Sequence, residues 1–425
     1  MQSLDLKNFQ PISLPRFARI RQKFAREKVE DIAGEIRAQM APHMSGLTGK
    51  RIAVGVGSRG IANIALITRT VIDMLKQAGA EPFIIPVMGS HGGATPEGQA
   101  GMLESFGISA ETMGVPVDAS MEVEPIGEIE PGLVIHVAKS ALAADGIVII
   151  PRIKPHTCFH GIIESGICKM LVIGLGKQIG TDIVHFQGFI RFAELIPKIG
   201  CMIAQKTKVL FALAVVENAY EDTYKIEVVP KDDIIKLERE KALLKIARES
   251  MGRIMLPKFD VLVIDYIGKN ISGDGQDPNV TGLYIAKWLK GGPEFKKSVI
   301  LDMTEESHGN ANGVGMVDVT TRKLFDKIDF VSMYTNGFTS TEVEATKIPL
   351  VAATSEDALR IAVKLCNGVA AGQHKVLWIK NTLELTEMLV SEPLLEEAAA
   401  HPSIEVVSEP QELVFVDGEP QVQLI

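Results

Sequence analysis

Between Pro155 and Gly180 the chain reads PHTCFHGIIESGICKMLVIGLGKQIG: two histidines, one glutamate, two cysteines and two lysines set among glycine and apolar residues. Burying that many titratable groups is costly unless each finds a partner, so His156, His160, Glu164 and Lys169 are the first candidates for chemistry. Lys169, inside ICK, is either a lysine whose stem lies on apolar surface with its head in water, or an amine of lowered pKa available for covalent work. His156 and His160 stand four apart, but Thr157 follows the first, so the stretch is not HExxH and argues against zinc-protease chemistry. Cys158 and Cys168 lack the spacing of a closed zinc site and read as buried thiols.

Four further stretches carry polar chemistry. GVGSRGIAN (55–63) is a glycine-rich strand-to-helix turn without the Lys-Ser/Thr of a P-loop; Ser58, Arg59 and Gly60 suit an anion, with the arginine favouring a phosphate or carboxylate. GSHGGATPEG (89–98) puts His91 at a strand end, where it serves as a general base, a metal ligand or a helix cap. GTDIVHFQGF (180–189) supplies His185, which by itself reads as a core histidine. DMTEESHGNANGVGMVDVTT (302–321) offers Glu305, Glu306, His308, Asn310 and Asn312 as a polar loop or a substrate-pocket lining.

These stretches need elements to hold them. RIAVGVG (51–57), EPFIIPVMG (81–89) and DGIVIIPRIKPH (145–156) read as strands, with helices expected over 61–79 and 93–107. The pattern restarts near residue 255 after a charged helix over 231–250. FDVLVID (259–265), SVILDM (298–303) and KIPLVAAT (347–354) follow as strands. The expectation is an α/β fold of two domains with mainly parallel sheets and the active site in the cleft between them. The first domain is placed at 1–255 and the second at 256–425, with the last segment free to pack back on the first. In such sheets ligands collect where strands end and loops begin, and three of the polar stretches follow first-domain strands.

The 425 residues are 46% hydrophobic and 23% charged, with a net charge of −9. No basic stripe is present to neutralise phosphates, which argues against a nucleic-acid partner. The cluster RFARIRQKFAREK (16–28) is expected to form a solvated helix face. The four cysteines form no CxxC pair and suggest reduced thiols in the cytoplasm. The apolar runs are too short and too broken to span a bilayer, and no signal peptide opens the chain.

Taken in order, SR, GSHG, PH, SGxxK and a following H resemble the active-site series of the nickel-dependent lactate racemase family, as a divergent subgroup. The resemblance runs across most of the chain and rests on SRGIAN, MGSHGGAT, KPHTCFHGIIESGICKMLVIGLGK and SHGNANGVG. It implies a nickel-pincer nucleotide, a pyridinium-3-thioamide-5-thiocarboxylate mononucleotide, tethered to Lys169 through a thioamide. Ser58, Arg59 and Gly60 would contact that cofactor, and His185 would complete the nickel coordination. His91 and His156 would be paired acid/base groups, and Arg59 would hold the substrate carboxylate. The implied reaction is racemisation or epimerisation at C2 of a 2-hydroxy acid by hydride transfer, with cofactor-biosynthesis proteins as partners. The cofactor then carries the hard step, because the C2–H bond is too weakly acidic for simple proton removal.

The chain departs from the family pattern in two places. Three extra residues separate PH from SGxxK, and Ile167 replaces a glycine, which leaves His160 as the rival of His156 and Lys177 as the rival of Lys169. The second-domain lysine that follows a PxD…YQ motif in the family has no clear match near GDGQDPNVTGLYIAK. A larger, hydroxyl-rich acid, bound by Glu305, His308 and Asn310, is therefore expected in place of lactate. Two other readings stand beside this one: a non-redox nucleotide- or phosphate-binding protein without nickel, and a metal hydrolase using His91, His156 and His185 with Glu164 as its carboxylate.

Overall fold

The structure is a computed structural model that describes Leu6, residues 11–58 and residues 60–421. The chain divides into two compact units, one of Arg26–Met251 and one formed by Gly252 onward together with the residues before Arg26. The second unit holds an eight-stranded sheet. One of its strands, β1 (Phe17–Gln22), comes from the start of the chain, and the others follow residue 252.

The Arg26–Met251 unit is built on a five-stranded sheet from β2 (Arg51–Val56), β3 (Glu81–Pro86), β6 (Gly146–Ile150), β7 (Val209–Glu217) and β8 (Thr223–Pro230), in the order β3-β2-β6-β7-β8. The first three pairings are parallel and only β7–β8 is antiparallel. The parallel strands are Val/Ile-rich on both faces, as expected of strands covered on both sides. One face packs on Ile67, Val71 and Leu75 of the helix Ile64–Gln77, and the other on Leu195, Ile196 and Ile199 of the helix Phe192–Lys206. A hairpin of β4 (Val123–Glu130) and β5 (Leu133–Ala138), which sequence periodicity did not reveal, packs into that second cluster.

The expected strands at 51, 81 and 145 and the helices at 61 and 93 are present. The helix expected over 231–250 is split at Leu237, whose φ of +65° ends Lys231–Lys236 and restarts the chain as Glu238–Ser250.

In the second unit β9 (Val261–Ile267), β10 (Lys297–Met303), β11 (Val319–Thr321), β12 (Leu350–Ala352) and β13 (Val376–Ile379) pair in parallel. The sheet continues antiparallel through β14 (Glu387–Ser391), β1 and β15 (Ile404–Val406). Two expectations are corrected here. The start of the chain, placed in a 1–255 domain, supplies β1 to the second unit, where β15 of the last segment pairs with it. The basic cluster is also not a helix face. FARIRQ alternates with period two, so Ala18, Ile20 and Gln22 are buried on one face while Arg21, on the other, reaches Glu387 at 2.6 Å across the antiparallel pair. The periodicity of two outweighed the charge count.

Candidate active site in the Arg26–Met251 unit

The site residues lie at the C-terminal ends of β2, β3 and β6, where three parallel strands release their loops. The stretch after β6 is fixed by Glu164, which is fully buried. Its Oε2 accepts the His156 backbone N–H at 2.7 Å, and its Oε1 accepts the Gly161 N–H at 3.2 Å and the Arg248 guanidinium. Every lone pair used this way serves the loop, so Glu164 is a loop anchor, and the metal-ligand role considered for it is not the one the geometry gives.

That anchor sets the state of His156. Its Nδ1 accepts the Cys158 backbone N–H at 2.9 Å, and Lys169 Nζ lies 2.5 Å from its Nε2. A backbone N–H only donates, so Nδ1 carries no proton and the neutral ring carries it on Nε2. Nε2 and the Lys169 amine are thus in direct hydrogen-bond contact, across which a proton can pass.

Lys169 is held from below. It ends the short helical turn Ile167–Lys169, and Glu240 receives the Cys168 N–H at 3.2 Å on both carboxylate oxygens. Burial pushes the Glu240 carboxyl up to about 7, and burial with the Glu240 charge pushes the Cys168 thiol well above its ordinary value. Neither group is a nucleophile at neutral pH. The helix continues as a π-helical turn over Met170–Gly174, a local irregularity often found at functional sites.

His185 closes the next helix, Lys177–His185. Its Nδ1 lies 2.8 Å from the Thr181 carbonyl oxygen, which only accepts, so Nδ1–H donates and Nε2 keeps its lone pair. Burial lowers the pKa of the ring, partly opposed by that carbonyl, and keeps it neutral. A neutral imidazole oriented by a backbone carbonyl is the form that binds a metal. Phe189 joins the two histidines, with ring centroids 6.1 Å from His156 and 5.5 Å from His185. Phe159 and Phe192 complete an aromatic wall against them.

His91 and Ser58 come from the other two strand ends, with Ser58 Oγ 2.5 Å from His91 Nδ1. Both loops touch the helix that carries the lysine. A side chain at Gly57 would meet Met170, and one at Gly89, where φ is +60°, would meet Thr181 and Ile173. Lys177 supports this loop rather than competing with Lys169. It is fully buried and donates to the Pro86 carbonyl at 2.7 Å and to Gln99 Oε1 at 3.1 Å, while Gln99 donates to the carbonyls of Gly89 and His91. Burial brings the Lys177 amine down to about 8. His160 sits on the Glu164-anchored loop, half-buried, and the contact to Lys169 comes from His156.

Arg59 lies outside the described residues. Its neighbour Gly60 is tethered by a network that the sequence reading missed. Arg152 donates to the Gly60 carbonyl at 3.2 Å and pairs with Glu217 at 2.7 Å, and Glu217 in turn accepts the Ala62 N–H at 2.7 Å. The signal was available: a charged residue directly after a buried parallel strand, as in IIPRIK, has no place in a core and belongs to the loop cluster. Among the described residues no group of three or more His, Cys, Asp or Glu is placed to hold a metal ion. A metal here would need donors brought by a cofactor.

In the second unit Glu305 is exposed and paired with Lys327 at 3.0 Å, His308 is exposed at φ +47°, and Asn310 reaches Asn336 Oδ1 at 3.4 Å. Asn336 also accepts from Lys269, which the sequence reading did not single out. Lys269 follows β9 directly, again at a parallel strand end. Of the three residues expected to bind substrate, only Asn310 belongs to this amide–lysine group.

No protein-family model and no curated protein matches the chain. The architecture, mixed α/β with mainly parallel sheets, does have counterparts among solved structures. One of them is the lactate racemase apoprotein from Thermoanaerobacterium thermosaccharolyticum, with a TM-score of 0.53 and 13% identity, covering 86% of this chain and 94% of that one. At that identity the likeness is one of fold.

Proposed function

We propose that the chain is a racemase or epimerase that inverts C2 of a 2-hydroxy acid by reversible hydride transfer, with a nickel-pincer nucleotide tethered to Lys169. The observation that carries this reading is the contact of the Lys169 amine with His156, beside a His185 whose Nδ1 is held by the Thr181 carbonyl and whose Nε2 is the nitrogen left to bind a metal. The donor set suits the group. A neutral amine forms a thioamide where an ammonium cannot, and one imidazole completes a site whose other donors come with the cofactor.

When bound, the nickel-pincer nucleotide would supply the hydride acceptor. The chain's own residues do the rest. His91, oriented through Nδ1 by Ser58, presents Nε2 as a base for the substrate hydroxyl proton. His156, whose Nδ1 is taken by the Cys158 N–H and whose ring proton therefore sits on Nε2, would be the acid of the pair, returning a proton to the keto oxygen. Arg59 and Gly60, on the tethered 57–63 loop, would hold anionic groups. Phe159, Phe189 and Phe192 wall off water, which protects a keto-acid intermediate. Glu305, His308 and Asn310 remain proposed contacts for the hydroxyls of a substrate larger than lactate, such as a sugar acid.

The test uses a panel of 2-hydroxy acids deuterated at C2, with protein made in a host that synthesises the cofactor. Inversion with deuterium retained at C2 is expected, and polyhydroxy acids should turn over faster than lactate. Inversion with loss of deuterium to water would replace hydride transfer by proton abstraction.

A further inference from the structure

We propose that Lys169 is also a carbonyl nucleophile in its own right: in the cofactor-free protein its amine condenses with a 2-keto acid to form an imine, with His156 as the proton donor. The geometry needed is already present. Cys158 N–H occupies Nδ1 of His156, so the single ring proton sits on Nε2, 2.5 Å from Lys169 Nζ. In its unprotonated form this amine has a lone pair to attack a carbonyl that enters, and the imidazole in contact with it is the group placed to move the protons. The lysine is half-buried at the top of its helical turn, beside the aromatic wall of Phe159 and Phe189. Exclusion of water there favours dehydration of the adduct.

The step balances without an oxidant or reductant. The Nζ lone pair forms the new bond to the carbonyl carbon, and the C=O π pair moves to oxygen. That oxygen takes the Nε2 proton of His156, and the surplus proton on Nζ returns to the ring. The ring then delivers a proton to the carbinolamine hydroxyl, which leaves as water as the nitrogen lone pair forms the C=N bond, and the proton lost from nitrogen returns to the ring. Overall, amine and ketone give imine and water. Glu164 fixes His156 through its backbone N–H, so donor and nucleophile are held in register before any ligand arrives.

The choice of a 2-keto acid rests on the racemase reading, which makes that compound the intermediate at this site; the reactivity of the amine does not. The consequence is a competition: a keto acid on Lys169 blocks cofactor tethering to the same nitrogen.

The experiment uses the full chain from a host that lacks the cofactor pathway. It is incubated at neutral pH with pyruvate and cyanoborohydride, and with propanal in a parallel arm, then read by intact mass and peptide mapping. One reduced adduct on Lys169 is expected with pyruvate, and none at that position in Lys169→Arg. His156→Asn, whose amide oxygen can keep the Cys158 N–H but which lacks the distal proton, should label roughly a hundred-fold more slowly. His156→Gln, which restores an N–H near the distal position, should recover part of the rate. Urea midpoints of each variant establish that it is folded. Labelling spread over other lysines with Lys169 untouched, or equal labelling in His156→Asn, would overturn the nucleophile. Equal labelling by propanal would overturn the keto-acid assignment. Either failure leaves the C2-deuterium result standing on its own.

Discussion

Two lysines eight residues apart have been given opposite work by their partners. Lys169 faces an imidazole N–H, whereas Lys177 is enclosed by the Pro86 carbonyl and Gln99. Burial lowers the Lys177 pKa from 10.5 to about 8. Between those values the unfolded chain binds a proton that the folded chain has released, so stability rises with pH across that window, by about 3 kcal/mol. Lys177→Met should abolish this rise in urea unfolding measured from pH 8 to 10.5, and Lys169→Met should keep it. At this scale the sequence was legible in residue type and not in role. His91, His156, Lys169 and His185 were all readable as candidates, but nothing in one dimension separates Lys169 from Lys177 or His156 from His160. The distinction depends on which backbone groups the fold brings to each side chain. Glu164 acts through such backbone contacts, and spacing carries no trace of them.

At the scale of elements, the strand-to-loop transitions of the parallel sheet were the legible part, because Val/Ile runs ending in glycine mark both the strand and its open end. The hairpin of β4 and β5 was hidden by weak alternation; VEPIGEIE is largely exposed or half-buried and offers no apolar face to read. The strand β1 was hidden by its charges, since three basic residues in RFARIR drew attention away from the period of two. It lies between β14 and β15, so its loss would open two unpaired edges in one sheet. Deleting residues 1–22 is expected to speed amide exchange in Glu387–Ser391 and Ile404–Val406 while β2 and β6 keep their protection. Unchanged exchange in β14 and β15 would mean that β1 is dispensable to that sheet.

For the whole molecule, a net charge of −9 argues against a polyanion held by the field of the protein. The fold shared with a lactate racemase apoprotein at 13% identity supplies strand ends and loops, and function lives in what those loops carry. Here they carry Lys169, His156, His185 and His91 within one unit, with Lys169 in contact with His156 and Ser58 with His91. The most direct test of that arrangement is intact-mass and nickel analysis of the chain purified from a cofactor-producing host in which a known lactate racemase is loaded in parallel. The account predicts one covalent adduct per chain, mapped to Lys169, with stoichiometric nickel that is lost in His185→Ala. An adduct on Lys177, or an unmodified chain beside a fully loaded control, would contradict it.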